Sequence, residues 1–215
     1  MNPFPLILSS PSGGGKTTIA RMLLQRRDDV GYSISCTTRP PRTGEVAGQD
    51  YHFLSRADFL ERRMAGEFAE SAEVHGNLYG TLKSEVERVF ALGRHVVMDI
   101  DIQGARQFAA AYPESVLVFL LPPSAETLLG RLKGRNTESP EAVLRRLMGA
   151  RDELAAVASY QYVVVNDDLE RAYAQVASIV DAETVRHRRV PLLEDRVRQL
   201  LDGLDREITR YARAT

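Results

Sequence analysis

Tryptophan is absent from this 215-residue chain, cysteine occurs once, and neither sign of charge dominates, with 28 Lys and Arg against 29 Asp and Glu. Each shortage excludes something. A single cysteine, Cys36, rules out an intramolecular disulfide framework and fits a reducing compartment; its expected place is a small side chain packed beside a strand. A formal net charge of −1 argues against a dedicated binder of nucleic acid or anionic membrane, while leaving room for a local basic site for a small anion. No uninterrupted apolar stretch approaches the ~20 residues of a membrane span. No basic segment precedes the N-terminal apolar residues, as it would in a secretory signal. A soluble, cytoplasmic protein is expected. The length allows one substantial core with small inserted lobes.

The most informative run is Ser9-Ser10-Pro11-Ser12-Gly13-Gly14-Gly15-Lys16-Thr17-Thr18. It follows the apolar residues 4–8 and precedes a helical pattern over 16–26. Strand, glycine loop and helix in that order form the context of a phosphate-binding loop. Glycines let successive N–H groups turn inward without a Cβ clash. With the positive end of the following helix they make an anion cradle. Lys16 reaches the β/γ-phosphates of a triphosphate, and the Thr17 hydroxyl suits Mg²⁺. Ser10 replaces the first glycine of the usual G-x-x-x-x-G-K-[ST] pattern.

Further along, residues 32–35 read as a short strand, and 36–81 are polar and turn-rich, with a strand at 51–54 and a helix at 57–64. This stretch reads as an inserted α+β lobe. The core pattern resumes with helices over 83–92 and 103–111 and apolar strands over 95–100, 116–121 and 162–165. Near-continuous apolar strands are those of a buried parallel sheet. Helices over 124–133 and 140–157 flank an arginine-rich loop and form a lid; another runs over 169–183. The fold class is therefore α/β, a doubly wound parallel sheet with ligands at the carboxyl ends of its strands. The division is core 1–34, 83–123 and 159–190, lobe 35–82, lid 124–158 and a C-terminal helix 191–215. That last helix carries one apolar stripe, Leu193, Val197, Leu200, Leu201, Leu204, Ile208 and Tyr211. Its ordinary place is against its own core, with a dimer contact as the alternative. Residues 186–189, Arg-His-Arg-Arg, read as a solvated helix end.

The lobe holds a second candidate anion site. Arg39 and Arg42 sit beside hydroxyls in a turn braced by Pro40 and Pro41. Arginine forks bind phosphate oxygens bidentately, and Tyr51 and Tyr79 add phenol donors. Together with the loop at 10–18, the segments Thr37-Thr38-Arg39, Pro41-Arg42-x-Gly44-Glu45, Gly48-x-Asp50-Tyr51-x-Phe53, Gly76-Asn77-x-Tyr79-Gly80-Thr81, Asp99-Ile100-Asp101-x-Gln103-Gly104 and Val165-Asn166-Asp167-Asp168 closely resemble the guanylate kinase family. They run in the family's order over about residues 5–185.

The resemblance implies a P-loop kinase fold with a nucleoside-monophosphate lobe and a helical lid. It implies transfer of the γ-phosphoryl of ATP to GMP, and to dGMP, giving ADP and GDP, with Mg²⁺ as cofactor and a place in purine metabolism. Carried over by position, Ser10, Pro11, Ser12, Gly13, Gly14, Gly15, Lys16, Thr17 and Thr18 would hold ATP, with Asn166 on the adenine side. Arg39, Arg42, Tyr51 and Tyr79 would hold the GMP phosphate. Ser35, Glu70, Thr81 and Asp101 would face the guanine. Arg131, Arg135 and Arg146 would converge from the lid on the transferring group. Thr17 would ligate Mg²⁺ directly, and Asp99 would either orient it through water or cap the next helix. The implied partners are small molecules, with the chain a monomer or homo-oligomer.

The chemistry of the base agrees. Guanine presents N1–H and an amino group as adjacent donors, which one carboxylate can accept together. Adenine has an acceptor at N1 and no amino group at C2, and an unpaired buried carboxylate is costly. From its neighbours alone, Glu70 reads as an exposed helix charge. Two other readings are weaker. A non-catalytic scaffold domain of similar fold would not need Gly15-Lys16-Thr17. A kinase for a phosphorylated ribose would not need Glu70, Thr81 and Asp101.

Overall fold

Strand residues Leu6, Ile7 and Leu8 are all fully buried, yet they serve two different cores. The period-2 alternation of a strand sends Leu6 and Leu8 to one face of the sheet and Ile7 to the other. A computed structural model describes residues 2–74, 76–133 and 140–213. Strand β1 (Pro5–Ser9) leads into α1 (Lys16–Arg26) and β2 (Val30–Tyr32). After an inserted region come α3 (Lys83–Ala91), β7 (His95–Asp99), α4 (Ile102–Ala111), β8 (Val116–Leu121), α5 (Ala125–Lys133), α6 (Pro140–Ala155), β9 (Tyr162–Val165), α7 (Leu169–Thr184) and α8 (Leu193–Ala212). Strands β2-β7-β1-β8-β9 form one parallel sheet in that order.

Helices α1 and α7 cover one face through Ile19, Leu23, Val176 and Val180. Helices α3 and α4 cover the other through Val86, Val89, Ala105 and Phe108. Strand β1 is central, so the loop that follows it opens at the middle of the sheet's carboxyl edge, where doubly wound sheets bind ligands.

The inserted region is a second sheet built from β3 (Cys36–Thr37), β4 (His52–Phe53), β5 (Phe68–Val74) and β6 (Asn77–Leu82), with α2 (Arg56–Met64) packed on it. Its order is β4-β3-β6-β5. Phe59, stacked on Phe68, is fully buried and joins Cys36, Leu78 and Leu82 in a small core. The lid helices α5 and α6 have their own cluster, Leu128, Leu132 and Ala150.

Four expectations change. The strand expected at 32–35 lies earlier, at Val30–Tyr32, because that register pairs with β7. The lobe holds three strands, β3, β5 and β6, that the sequence reading lacked; β3 is only two residues long, polar residues masked β5 and Gly80 masked β6. Residues 187–189 form a 3₁₀ turn in which Arg186, His187 and Arg188 are exposed as expected, but Arg189 is buried against Glu183 at 3.0 Å. Finally, α8 does not pack on the core, and none of its residues is buried.

Candidate active site

Helix α1 begins without a side-chain cap and has no acidic residue in its first turn, so its N-terminal N–H groups stay free for an anion. Gly15, which precedes it, has φ 96°, a left-handed conformation that favours glycine. A Cβ there would also lie 2.3 Å from Asn166 Nδ2. Asn166 is buried and donates from Nδ2 to the Gly14 carbonyl at 2.8 Å. It therefore braces the loop from below. Ser10, where the usual loop has glycine, is buried and donates through Oγ to the Pro11 carbonyl at 3.0 Å. Its own carbonyl accepts from Lys16 Nζ at 2.8 Å.

Asp99 ends β7 and uses both carboxylate oxygens. One accepts from Thr17 Oγ1 at 2.6 Å and the other from Tyr32 OH at 2.8 Å. The cap of α4 is Asp101, whose side chain accepts from Gly104 N at 2.7 Å. That removes the capping alternative for Asp99 and places a hydroxyl and a carboxylate together at the loop's edge.

Across from the loop, Glu70 is a buried strand residue, 5% exposed, and not the exposed helix charge its neighbours suggest. A register shift between Phe68 and Glu70 in the β5–β6 pairing re-aims the side chain. Thr81 lies opposite on β6 and donates to Glu70 Oε1 at 2.8 Å. Glycine at 104 lets α4 approach, since a Cβ there would sit 2.8 Å from Glu70 Oε2. Burial pushes the Glu70 carboxyl up to about 7; the Thr81 hydrogen bond opposes that rise, and the Asp101 carboxylate adds to it.

One cavity of about 290 Å³ joins these parts; Ser12, Lys16, Ser35, Tyr51, Glu70, Tyr79, Asp99 and Asp101 all line it. Arg39 lies beside it, its guanidinium 5.3 Å from the Tyr51 ring centroid and paired through both Nη atoms with Glu45 at 2.8 Å. That pairing holds the Glu45 carboxyl down at about 2. Arg42 is exposed, and its backbone N–H also donates to Glu45. Arg131 reaches the Gly13 carbonyl at 3.5 Å. Arg146 donates to the Leu132 carbonyl at 2.8 Å, bridging the two lid helices. Arg135 lies outside the described residues.

Two contributors escaped the sequence reading. Tyr32 orients Asp99. Glu153, from the lid helix α6, accepts from the Ser12 N–H of the loop at 3.2 Å; burial raises its carboxyl while nearby Lys16 draws it down. Nothing local marks either residue, because each acts across a large sequence separation.

A glycine loop on a helix N-terminus, facing a buried carboxylate across one cavity, is the arrangement expected of a nucleoside monophosphate kinase. A family model described as Guanylate kinase matches residues 2–183. A guanylate kinase of Chelativorans sp. is 50% identical over 197 residues, covering 91% of this chain and 90% of the relative. One from Symbiobacterium thermophilum is 49% identical over 181 residues, 84% of this chain and 86% of the relative. A crystal structure of guanylate kinase from Anaplasma phagocytophilum superposes with TM-score 0.73 at 36% identity, covering 89% of this chain and 92% of that one. The chain belongs to the guanylate kinase family.

Proposed function

We propose that this cavity carries out the family's reaction, transfer of the γ-phosphoryl of ATP to GMP, with each end of the cavity binding one nucleotide. The buried Glu70 carboxylate, on the same cavity as Lys16, is the observation that carries the reading. Guanine's adjacent N1–H and amino donors complete the carboxylate's hydrogen bonding, while Thr81 fixes its orientation and Ser35 offers a donor to O6. AMP offers no matching pair of donors and would leave the carboxylate only its Thr81 hydrogen bond. The loop from Ser10 to Thr18 holds the ATP phosphates, and Asn166 keeps the loop in shape. Arg39, Arg42, Tyr51 and Tyr79 take the GMP phosphate. Arg39 is already oriented by Glu45 and swings or shares that fork when phosphate arrives. Arg131, Arg135 and Arg146 supply lid charge to the transferring group. The acceptor phosphate is anionic, so the transfer needs no general base.

Thr17 and Asp99 fit Mg²⁺, which favours one or two protein oxygens plus phosphates and waters. The 2.6 Å hydrogen bond between them uses the Thr17 proton and leaves its oxygen lone pairs for a cation. When bound, the ion neutralises phosphate charge. The roles are divided as core 1–34, 83–123 and 159–190, acceptor lobe 35–82, lid 124–158 and tail 191–215. No described helix is long and apolar enough to cross a membrane, and a cytoplasmic location fits a small-molecule kinase with one buried cysteine. Coupled ADP release with GMP, dGMP, AMP, CMP and UMP tests the reading. Turnover with GMP and dGMP supports it, and equal turnover with AMP refutes it.

A further inference from the structure

The proposed reaction gives Tyr32 no contact with either nucleotide, yet its phenol is built into the triphosphate end. The β2–β7 register sets Tyr32 beside Val97. Parallel partners share a face, and Asp99 lies two residues on from Val97. Tyr32, Val97 and Asp99 therefore all point to the side of the sheet that α1 covers, and Thr17 stands in the first turn of that helix. A slip of one residue would turn the phenol to the other side. The backbone at Tyr32 is pinned as well. Its carbonyl accepts from Arg88 Nη2 at 3.1 Å, and two residues on, the Ile34 N–H donates to Glu85 at 3.2 Å. Both partners lie on α3, which packs on the core sheet. The phenol is thus mounted on the core rather than on the acceptor lobe that follows it.

Asp99 needs such a mount. Tyr32, Tyr51 and Asp99 line both the cavity described above and a second one of about 350 Å³, which reaches Thr17 and Arg21. With open space on two sides, packing does not hold the Asp99 carboxylate, and the terminal torsion of an aspartate is soft. Two hydrogen bonds hold it instead, from Tyr32 OH to one oxygen and from Thr17 Oγ1 to the other. A carboxylate only accepts, so the two hydroxyls converge on it. The Thr17 proton is thereby turned to Asp99, and its lone pairs face away from the carboxylate. We infer that Tyr32 is a positioning residue for the divalent ion, acting through Asp99 on the Thr17 hydroxyl. The inference rests on the reading above, in which Thr17 holds Mg²⁺. Outer partners of this kind are worth about 10–100-fold in metal affinity.

The test uses the full chain, an ATP analogue with a β,γ-imido bridge, and Mn²⁺ in place of Mg²⁺, since oxygen ligands suit both. Titration calorimetry with and without Mn²⁺ gives the factor by which metal tightens the analogue. Tyr32→Phe keeps the ring and removes only the hydroxyl. That factor should fall about tenfold, while metal-free binding of the analogue stays within about twofold. An unchanged factor would overturn the inference, and so would equal losses with and without metal, which mark a purely structural role. In an Asp99→Ala chain, Tyr32→Phe should cost nothing further, because its route to Thr17 is already cut. Additive losses would overturn the path through Asp99. Kinetics supply a second readout. Raising Mg²⁺ should restore the kcat of Tyr32→Phe with the KM for GMP unchanged, and a deficit that no Mg²⁺ concentration repairs would refute positioning. The calorimetry needs neither GMP nor transfer, so it judges Tyr32 even where AMP proves as good an acceptor as GMP.

Discussion

The two ends of the cavity are built by opposite means. The triphosphate end is almost all backbone, a glycine loop on a helix N-terminus anchored to the central strand of a five-stranded sheet. The monophosphate end is almost all side chain, carried on a thin second sheet with a small core of its own. Backbone N–H groups recognise a phosphate whatever base it carries. A buried carboxylate recognises a donor pattern. The first design binds a class of ligand; the second selects one member of a class.

That contrast predicts how each end fails. Lys16→Ala should lower kcat on the order of a thousandfold, as for other groups that neutralise transferring phosphoryl charge, with an unchanged circular dichroism spectrum. If it raised only the KM for GMP, the two ends would not be separable. Glu70→Gln should lower kcat/KM for GMP about 100-fold, since it removes a charge-assisted acceptor. It should leave the KM for ATP within about twofold, a margin inside the scatter of surface changes. Steady-state kinetics with GMP and AMP would show whether discrimination collapses.

A subtler effect comes from protonation. The ligand-free Glu70 carboxyl titrates at about 7 rather than 4.5. Guanine needs the carboxylate, so the KM for GMP should rise below pH 7, by up to about tenfold per unit. Glu70→Gln should lack that component while keeping the nucleotide's own phosphate titration, and an identical pH profile in both proteins would rule the effect out. The same shift makes the ligand-free fold lose stability as pH climbs from 4.5 through 7, because the folded carboxyl holds its proton more tightly than the unfolded one. Smallest of all, Asn166→Ala should raise the KM for ATP several-fold with no change for GMP, the cost of one lost loop hydrogen bond of about 1 kcal/mol. Equal effects on both nucleotides would mean that Asn166 shapes more than the triphosphate end.

The contrast also explains what the chain disclosed before folding. The loop is contiguous, so Ser10 to Thr18 could be read in one pass together with the strand and helix around it. Most core elements were legible for a similar reason, as buried parallel strands such as Val116–Leu121 are unbroken apolar runs. The acceptor end is scattered. Glu70 and Thr81 meet only because β5 pairs with β6, and both strands hid behind polar residues and Gly80. Position-by-position resemblance pointed to them; local pattern did not. The two roles open to Asp99, metal or cap, could not be separated by sequence, because only geometry shows that Asp101 caps α4. The stripe on α8 was visible, but its usual destination, the chain's own core, was the wrong one.

Glu70 sits where β5 meets α4, against Gly104 and Asp101, with Ala69 packed into the core cluster beside Ala105 and the Ser71 N–H held by Gln107 at 3.1 Å. The residue proposed to read the base therefore lies in the joint between the two sheets, not at the tip of either. A matched base would tie that joint together, while a mismatched one would leave the carboxyl with only what Thr81 donates. Discrimination and the exclusion of bulk water then become one mechanical event, so AMP should leave the enzyme's idle ATP hydrolysis where ATP alone puts it.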